Sequence, residues 1–483
     1  MALLSATKQE VHKGAWSMAQ ETTPDRLAPP AGQPVSRRSV LKIGGLGLAG
    51  VAGTSLLSSC GRGSDPHQVI VQVAQSPTAP AGQRRILDLM RRKFEAAYPG
   101  ASAKFNVVTL GSAVTTSVIT AATSRDGPDI FEVSPQTLPT GQAVGVFEVL
   151  SDSDWAAVGG KDRYLPSALA ACGRSTTELV AIPYYASTMA MYYNRKKFQE
   201  AGITAAPTTW TDFVDVGRQL SAPEQDRYAV GMGAAEASEP WHVIWLLAAQ
   251  LGGQLISPDG TRSQLNSPEV FEATTFWLDW IAKYRIAGKR DATNVSAEQV
   301  KQFTSGRTAM FACGFTQAIS SMAGTSVAGD WALAGNPTVP YGRPALPAGT
   351  RPVQSYFGGA TWAISKYSSK RELALGLARM MGDPDVQRLT WQEVGGLPIT
   401  TETFTAHPET RQGVWKTIYD SATNAAPTPW SPSFAQVSPL LSTAVKPSFA
   451  ELAAGGTYDP GALKARLVTA NQALTTALES ERR

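Results

Sequence analysis

The fold class is decided by the stretch from residue 68 to residue 133, which begins with the apolar run QVIVQVA (residues 68–74). This run predicts a buried strand, and the apolar spacing of residues 86–98 predicts a helix that ends at Pro99-Gly100. A second strand, a second helix and a third strand are predicted at residues 105–108, 114–123 and 129–133. This alternation favours an α/β fold with a mostly parallel sheet covered by helices. Ligands of such sheets meet the loops at the carboxyl ends of the strands.

Further along the chain, residues 179–194 form two extended runs broken by Pro183 and by small hydroxyl residues, as expected of a chain that crosses between lobes. Residues 335–352 are rich in Pro, Gly and Arg and indicate a surface loop. More helices are predicted at residues 210–220 with Thr209 as N-cap, from Glu239 to the glycine pair 252–253, and at 272–284 and 297–304, and an apolar strand at 356–364. The length of 483 residues suggests two domains or lobes.

The amino-terminal segment carries an export address. It contains SRRSVLK (residues 36–42), then an apolar run of Gly, Ala and Leu, and finally LSSC (residues 57–60). The pair Arg37-Arg38 is typical of a twin-arginine signal, an address that is read by a bacterial export pathway for folded proteins. LSSC resembles a lipobox, which implies that Cys60 receives a diacylglyceryl group and that everything before it is removed. We therefore expect an extracytoplasmic protein, anchored to the cell membrane by a lipid on Cys60.

Two other interpretations of this segment are a retained transmembrane anchor and a secretory signal with a coincidental cysteine. Residues 43–59 are few and rich in glycine, whereas a spanning helix needs about 20 apolar residues. Two motifs in the correct order argue against coincidence. The start codon stays open, because the segment before Arg37 is long and Met18 is an alternative start. GLGLAG (residues 45–50) matches the dinucleotide-binding glycine pattern, but it lies inside the signal and predicts no cofactor.

The net charge and the few cysteines and histidines argue against nucleic-acid binding and against a metal site. The chain has 43 basic residues (Lys and Arg) and 39 acidic residues (Asp and Glu). Six of the basic and three of the acidic residues lie in residues 1–60, so the mature chain keeps 37 basic and 36 acidic residues and is nearly neutral. Such a chain has no electrostatic basis for binding nucleic acid. Cys172 and Cys313 lie in apolar segments that we expect to be strands, and either a disulfide or two buried thiols fits them. The four histidines lack partners at metal-ligand spacing, so we predict no metal and no cofactor.

Segments in three parts of the mature chain resemble landmarks of one known family. They are AIPY to YYN (residues 181–194), EPW to AA with the following glycine pair (residues 239–253), and GRTAM to GF (residues 306–315). Their order resembles that of the extracellular solute-binding proteins of ABC importers, family 1, of the sugar- or maltodextrin-binding type. The similarity runs over almost the whole mature chain.

The resemblance implies a two-lobed periplasmic-binding-protein-like α/β fold with mixed sheets flanked by helices. Its three hinge crossings are expected near Ala186-Ser187, Gly358-Gly359 and Gly395-Gly396. The two glycine pairs allow the backbone rotation that a hinge needs, and ordinary tight turns are the other interpretation of them. A tether at residues 61–67 would precede a first lobe of residues 68–186 plus 359–395 and a second lobe of residues 187–358 plus 396–483. One ligand would be held in the cleft of a monomeric, non-catalytic protein and passed to the transmembrane subunits of a permease.

A sugar presents hydroxyls and flat C–H faces, so its site needs carboxylates, amides and aromatic rings. Trp241 and Phe315 are predicted stacking platforms and Trp430 is a second-tier candidate, whereas Trp362, inside an apolar strand, is expected in the core. The other predicted ligand-binding residues follow strands or lie at the crossings: Ser76, Glu132, Ser134, Gln136, Tyr184, Ser187, Gln317, Gly358, Gly359 and Gly396. Glu239 and Glu393 are either part of the site or helix-capping or surface charges.

The favoured function is capture of an oligosaccharide, an amino sugar or a polyol derivative. Two alternatives stay open: an exported carbohydrate-active enzyme that uses paired carboxylates such as Glu132 and Glu393, and a cell-wall-binding lipoprotein. A glycerophosphodiester ligand would require basic contacts, for which Arg343 and Arg351 in the Pro/Gly loop are the candidates.

Overall fold

Eight β-strands and sixteen α-helices make up the part of the chain that the computed structural model describes, residues 65–76, 79–109, 112–236, 238–423 and 425–481. The strands are β1 (Gln68–Ala74), β2 (Ser102–Val108), β3 (Ile130–Val133), β4 (Ile182–Ser187), β5 (Met189–Asn194), β6 (Met310–Phe315), β7 (Trp331–Ala334) and β8 (Gly358–Ile364). The twin-arginine motif, the GLGLAG run and Cys60 lie outside the described residues.

The helices cover the sheets and carry most of the loops of interest. They are α1 (Pro80–Ala97), α2 (Ser112–Ser124), α3 (Leu138–Ala143), α4 (Asp152–Ala157), α5 (Pro166–Ala170), α6 (Arg195–Glu200), α7 (Trp210–Leu220), α8 (Glu239–Gln250), α9 (Pro268–Ala282), α10 (Ser296–Thr304), α11 (Arg371–Met381), α12 (Pro384–Val394), α13 (Thr401–Ala406), α14 (Gly413–Thr423), α15 (Phe434–Ala453) and α16 (Pro460–Ser480). Within the described ranges, none of them combines the length and the apolar character that crossing a membrane requires.

The first sheet has the strand order β2-β1-β3-β8-β4. β1 runs parallel to β2 and β3, whereas β8 is antiparallel to both of its neighbours, β3 and β4. The prediction of a mostly parallel sheet is therefore correct only for β1 to β3, because β8 returns from a distant part of the chain and inserts beside them. Val69, Val71 and Val73 of β1 are completely buried, as the apolar run predicts.

The second sheet is antiparallel throughout and has the order β6-β5-β7. Its central strand, β5, begins one residue after β4 ends, so Thr188 alone separates a strand of the first sheet from a strand of the second. Side chains alternate along β5: Ala190 and Tyr192 join the hydrophobic core that includes Val69, whereas Met189 and Met191 join a separate core beneath α7, α8 and α9. β5 therefore contributes to both cores of the molecule.

The predicted crossing segments lie side by side. Ala186 and Ser187 pair with Gly359 and Gly358, and Ala186 also exchanges two backbone hydrogen bonds with Leu397 at 3.0 and 2.9 Å. Gly359 has φ +118°, and a Cβ at this position would overlap the carbonyl oxygen of Tyr185. Only glycine fits there, because other residues rarely adopt this φ and the neighbouring strand leaves no room for a side chain.

Local sequence signals account for most helix boundaries. Thr209 caps α7 as predicted: its Oγ1 accepts from Asp212 N at 3.0 Å, and Asp212 Oδ2 accepts from Thr209 N at 3.3 Å. α1 begins at Pro80, well before the predicted start at residue 86, because proline is favoured in the first helical turn. Cys313 lies in β6, but Cys172 lies in a bend after α5 rather than in a strand; both are buried and free.

The segment after the last crossing lies against the first sheet's side of the molecule. Leu165 N donates to Ile399 O at 2.9 Å, and Thr400 forms a β-bridge with Tyr164. Residues 399 and 400, in the predicted second-lobe stretch that begins at residue 396, thus contact residues 164 and 165. α15 and α16 pack on each other, and they also contact α8 and α9.

Candidate ligand-binding site

Glu132, near the end of β3, lies inside the protein rather than at a solvated rim. It is 6% exposed, and Trp362 Nε1 of the neighbouring β8 donates to its Oε2 at 3.2 Å. Burial raises the pKa of the Glu132 carboxyl to about 7, while hydrogen bonds from Trp362 and from the Ala74 backbone act in the opposite direction. Trp362 is completely buried, as predicted for a core residue.

Two tyrosines belong to β4, which pairs with β8 on the side opposite β3. The Tyr184 ring packs edge-on against Trp362 with centroids 5.9 Å apart, and the Tyr184 hydroxyl lies 3.0 Å from Thr390 Oγ1 of α12. Burial, and to a smaller extent the charge of Glu132, raises the pKa of Tyr184 and Tyr185 far above the usual range. Both phenols therefore stay protonated and can donate hydrogen bonds.

Side chains at the crossings connect the two sheets. Ser187 Oγ, at the end of β4, donates to Gln317 Oε1 at 2.8 Å, just beyond β6. Gly395 ends α12 with φ +70°, and a Cβ there would lie 3.1 Å from Thr316 O. Gly396 lies against the Tyr185 ring, where a Cβ would approach the ring carbons to 2.7 Å. The structure therefore brings Ser187, Gln317 and Gly396 together, as the predicted site requires.

Three buried polar atoms at or near these crossings have no hydrogen-bond partner among the described residues: Thr188 Oγ1, Thr316 Oγ1 and His242 Nδ1. Thr188 and Thr316 are neighbours, since Thr316 N donates to Thr188 O at 3.2 Å. Leaving such an atom without a partner costs about 1–3 kcal/mol. These atoms therefore mark positions where a water molecule or a ligand can supply the missing hydrogen bond.

An aromatic cluster surrounds His242 at the start of α8. Ring centroids are 4.8 Å apart for Trp241 and Tyr356, 5.3 Å for Trp241 and Phe434, and 4.8 Å for His242 and Phe315. The Tyr356 hydroxyl lies 3.2 Å from His242 Nε2. Burial lowers the pKa of His242 to about 3, so the imidazole is neutral. The predicted platforms Trp241 and Phe315 thus belong to one cluster, in which Trp241 is largely covered by other rings.

Glu239 adds a second buried carboxyl group to this region. It begins α8 and is 4% exposed, so the surface-charge interpretation is wrong. Burial, reinforced by the nearby Glu236 carboxylate, raises the pKa of Glu239 to about 8. Burial raises the pKa of Cys313 and Tyr356, and the charge of Glu239 adds to both shifts. Cys313 has φ +58°, an uncommon backbone conformation for a residue with a side chain.

The loop after β3 reaches toward the second sheet. Ser134 Oγ lies 3.2 Å from Thr137 Oγ1, and Gln136 Nε2 donates to Phe357 O at 3.4 Å, next to Tyr356 of the aromatic cluster. Trp430 Nε1 donates to Gln142 Oε1 of α3 at 3.0 Å. Gln136 therefore lies beside the cluster, whereas the polar edge of the Trp430 ring is engaged by Gln142.

Some predicted residues have other partners. Ser76 Oγ accepts from Ala79 N at 3.2 Å in the turn that precedes α1. Glu393 pairs with Arg85, whose Nε donates to Glu393 Oε1 at 2.8 Å; this pairing lowers the pKa of Glu393. Arg343 pairs with Glu272 of α9 at 2.9 Å, which leaves it engaged away from the crossings. No group of three His, Cys, Asp or Glu among the described residues is arranged to hold a metal ion.

Sequence analysis missed Thr188, Thr316, His242, Tyr356 and Phe434. Thr188 and Thr316 are adjacent to the predicted residues Ser187 and Gln317, and His242 is adjacent to Trp241. Phe434 had no comparable local signal, because it reaches Trp241 through tertiary packing.

Two lobes, three adjoining crossings and a buried set of acids, hydroxyls and aromatic rings beside them define a two-lobed binding protein. A family model for bacterial extracellular solute-binding proteins matches residues 75–388, about two thirds of the sequence. The chain belongs to this family.

Comparisons with individual proteins agree with this assignment. The chain is 24% identical over 271 residues to the diacetylchitobiose-binding protein DasA of Streptomyces coelicolor, covering 53% of this chain and 56% of that protein. It is 26% identical over 216 residues to the mannitol-binding protein of Pseudomonas aeruginosa, covering 40% and 46%. The match thus spans about half the length of these curated relatives. The maltose-bound MalE3 structure from T. maritima superposes with a TM-score of 0.68 at 18% identity, covering 85% of this chain and 99% of that one.

Proposed function

We propose that this protein is the lipid-anchored substrate-binding component of an ABC importer, and that it captures a carbohydrate or polyol between its lobes and delivers it to the permease. The observation that carries the proposal is the set of unpartnered buried atoms of Thr188, Thr316 and His242 beside aromatic rings. Hydroxyl groups of a sugar supply the missing hydrogen bonds, and its C–H faces match the rings. Relatives named for binding diacetylchitobiose and mannitol support this ligand class.

Binding would act through closure of the lobes. The strand pairs around Gly359 and the turn at Gly395 supply the backbone freedom, while Ser187 and Gln317 connect the two sides. A ligand held by groups from both lobes binds the closed form better than the open form, and so shifts the population toward closure. No covalent step is required.

Glycoside hydrolysis needs two carboxyl groups that flank one bond. Glu393, the predicted partner of Glu132, is held by Arg85. Glu132 and Glu239 are both buried, with raised pKa values that suit hydrogen bonding to hydroxyls. The ion pair between Glu393 and Arg85 removes the predicted carboxylate pair, which favours a binding protein over a hydrolase.

Isothermal titration calorimetry of the purified protein against diacetylchitobiose, maltose, mannitol and a glycerophosphodiester tests the proposal. We expect Trp241→Ala to weaken sugar binding sharply, because Tyr356 and Phe434 pack on this ring and the aromatic cluster loses its support without it. Trp415→Ala removes an indole that packs on Trp391 instead and should leave affinity unchanged. Thr188→Val should weaken binding about tenfold while stabilising the ligand-free protein, since it removes an unpartnered hydroxyl. If the protein binds none of these four compounds, the proposal is wrong.

The export signal, the lipid on Cys60, the monomeric state and the predicted lobe limits are parts of the same proposal. A twin-arginine signal with a lipidated cysteine places a folded receptor at the outer face of the membrane, where a permease can accept its ligand. The tests of Trp241 and Thr188 do not depend on this location.

A further inference from the structure

A cavity of about 310 Å³ lies at the far end of α8 from the candidate ligand-binding site. Trp241 lies in the first turn of that helix and Gln250 ends it, so the two positions are about 14 Å apart along the helix axis at about 1.5 Å per residue. The cavity is formed by α7, α8, α9 and the Pro/Gly/Arg loop of residues 335–352. Its walls include Trp210, Phe276, Tyr284 and Tyr341.

The cavity has a fixed wall. Gln250 is completely buried and accepts from Trp210 Nε1 at 2.7 Å, which sets the orientation of the indole. The Gln250 amide also donates to Pro337 O at 2.8 Å and to Val353 O at 2.7 Å. One side chain thereby ties both ends of the Pro/Gly/Arg loop to α7 and α8, so the loop is held over the cavity.

The walls combine flat apolar faces with hydrogen-bonding groups. Tyr341 of the loop stacks on Phe276 with ring centroids 5.4 Å apart and also contacts Tyr284 at 4.8 Å. Two carboxyl groups of α9, from Glu272 and Asp279, line the same space. The Tyr458 hydroxyl donates to Asp279 Oδ1 at 3.1 Å, which orients that carboxyl group.

These groups discriminate between classes of ligand. A cationic ligand would be repelled by basic side chains that already occupy the positions it would take. The Arg218 guanidinium and Lys283 Nζ lie 5.2 and 5.5 Å from the Tyr284 ring centroid. Arg343 already pairs with the Glu272 carboxylate. An anion would meet the carboxylate of Asp279. A purely apolar ligand would remove water from the carboxyl groups of Glu272 and Asp279 without adding a hydrogen bond to either. A neutral ligand with apolar faces and several hydroxyls satisfies both the rings and the acids.

We propose that this cavity is a second carbohydrate site, which takes one sugar ring, either free or at the end of a longer glycan, outside the cleft between the lobes. Its volume lies at the lower end of the range of about 300–1,000 Å³ for small-molecule pockets, which suits a single ring. This site is independent of the proposed transport ligand, since α8 contributes its carboxyl end here and its amino end there.

Saturation-transfer NMR with glucose, galactose, mannose and N-acetylglucosamine tests the second site on the purified full-length protein. A Trp241→Ala background disrupts the aromatic cluster of the interlobe site, so the remaining signal reports the cavity. In that background we expect Tyr341→Ala to abolish saturation transfer and Asp279→Asn to weaken binding about tenfold. Tyr367→Ala, which removes a first-lobe tyrosine ring beside Lys366, is the matched control and should change nothing.

Asp279→Asn keeps the shape of the side chain, so this variant still tests the second carbohydrate site if Tyr341→Ala fails to fold. Equal binding by Asp279→Asn and its parent overturns the proposal, as does the absence of binding by all four sugars. If the wild-type protein binds no member of the calorimetry panel while saturation transfer is retained, only the proposed transport function is contradicted.

Discussion

Replacement of Glu132 by glutamine should make the folded protein more stable at alkaline pH. Burial raises the pKa of this carboxyl group from 4.5 to about 7. Between these two values the folded protein holds a proton that the unfolded chain has lost, so the free energy of unfolding falls as the pH rises through this window. Each pKa unit corresponds to about 1.4 kcal/mol, so the wild-type protein loses about 3 kcal/mol by pH 8.

Glutamine has the same shape and carries no charge to desolvate, and its carbonyl oxygen can still accept from Trp362 Nε1. We therefore expect Glu132→Gln to exceed the wild type by about 3 kcal/mol at pH 8 and by less than about 0.5 kcal/mol at pH 4.5. Glu239 titrates in both proteins and cancels in the comparison. Urea denaturation followed by tryptophan fluorescence at the two pH values measures the difference.

Glu393→Gln is the matched control with the opposite sign. The Arg85 pair lowers the pKa of Glu393, so the folded state gains stability above the pKa of the unfolded chain and loses it as the pH falls. Because both partners are partly exposed, removing the pair should cost less than about 1 kcal/mol at neutral pH. A Glu132→Gln difference that is the same at pH 4.5 and pH 8 would refute burial as the cause of the raised pKa.

Three more predictions concern Gly359 at the crossing, the hydrogen bond from Trp430 to Gln142, and the proposed lipid anchor at Cys60. Gly359→Ala should lower the free energy of unfolding by more than about 2 kcal/mol in urea denaturation, because the new Cβ adds a steric overlap to the strain of a positive φ. Gly145 has φ +74° and open space around it, so Gly145→Ala should cost only about 1 kcal/mol. Equal losses in the two variants would contradict the steric overlap at Gly359. Trp430→Phe keeps an aromatic ring but removes the hydrogen bond to Gln142, so it should lower the free energy of unfolding by about 1 kcal/mol in urea denaturation; an unchanged free energy would show that this hydrogen bond does not stabilise the fold. Cys60→Ala should abolish incorporation of radiolabelled palmitate and release the protein from the membrane fraction, and continued labelling would rule out Cys60 as the lipid site.

Local patterns predicted the fold to the extent that local physics determines it. The alternating valines of β1 and the Thr209 cap of α7 depend on residues a few positions apart, and both are present in the structure. The orientation of β8 depends on pairing with β3 across more than 200 residues of chain, which no local pattern specifies. The antiparallel half of the first sheet was therefore beyond sequence analysis.

The same limit applies to the candidate site. Glu132 was singled out because it ends a strand, and the structure places it among Trp362 and two tyrosines. Its burial depends on β8, so the raised pKa had no signal in the sequence. Glu393 shows the opposite case, because its partner Arg85 lies 308 positions away and commits it to an ion pair.

The alternation of side chains along β5 also bears on how the molecule comes apart. Tyr192 and Met191 are neighbours in the chain but are buried in different cores. Neither lobe can lose its packing without exposing one face of the strand that the other lobe needs. Heating should therefore give a single unfolding transition rather than two, and neither lobe is suited to production as a separate fragment. A ligand that binds at any point would then raise the melting temperature of the whole protein, so a simple thermal-shift screen can survey both proposed sites at once.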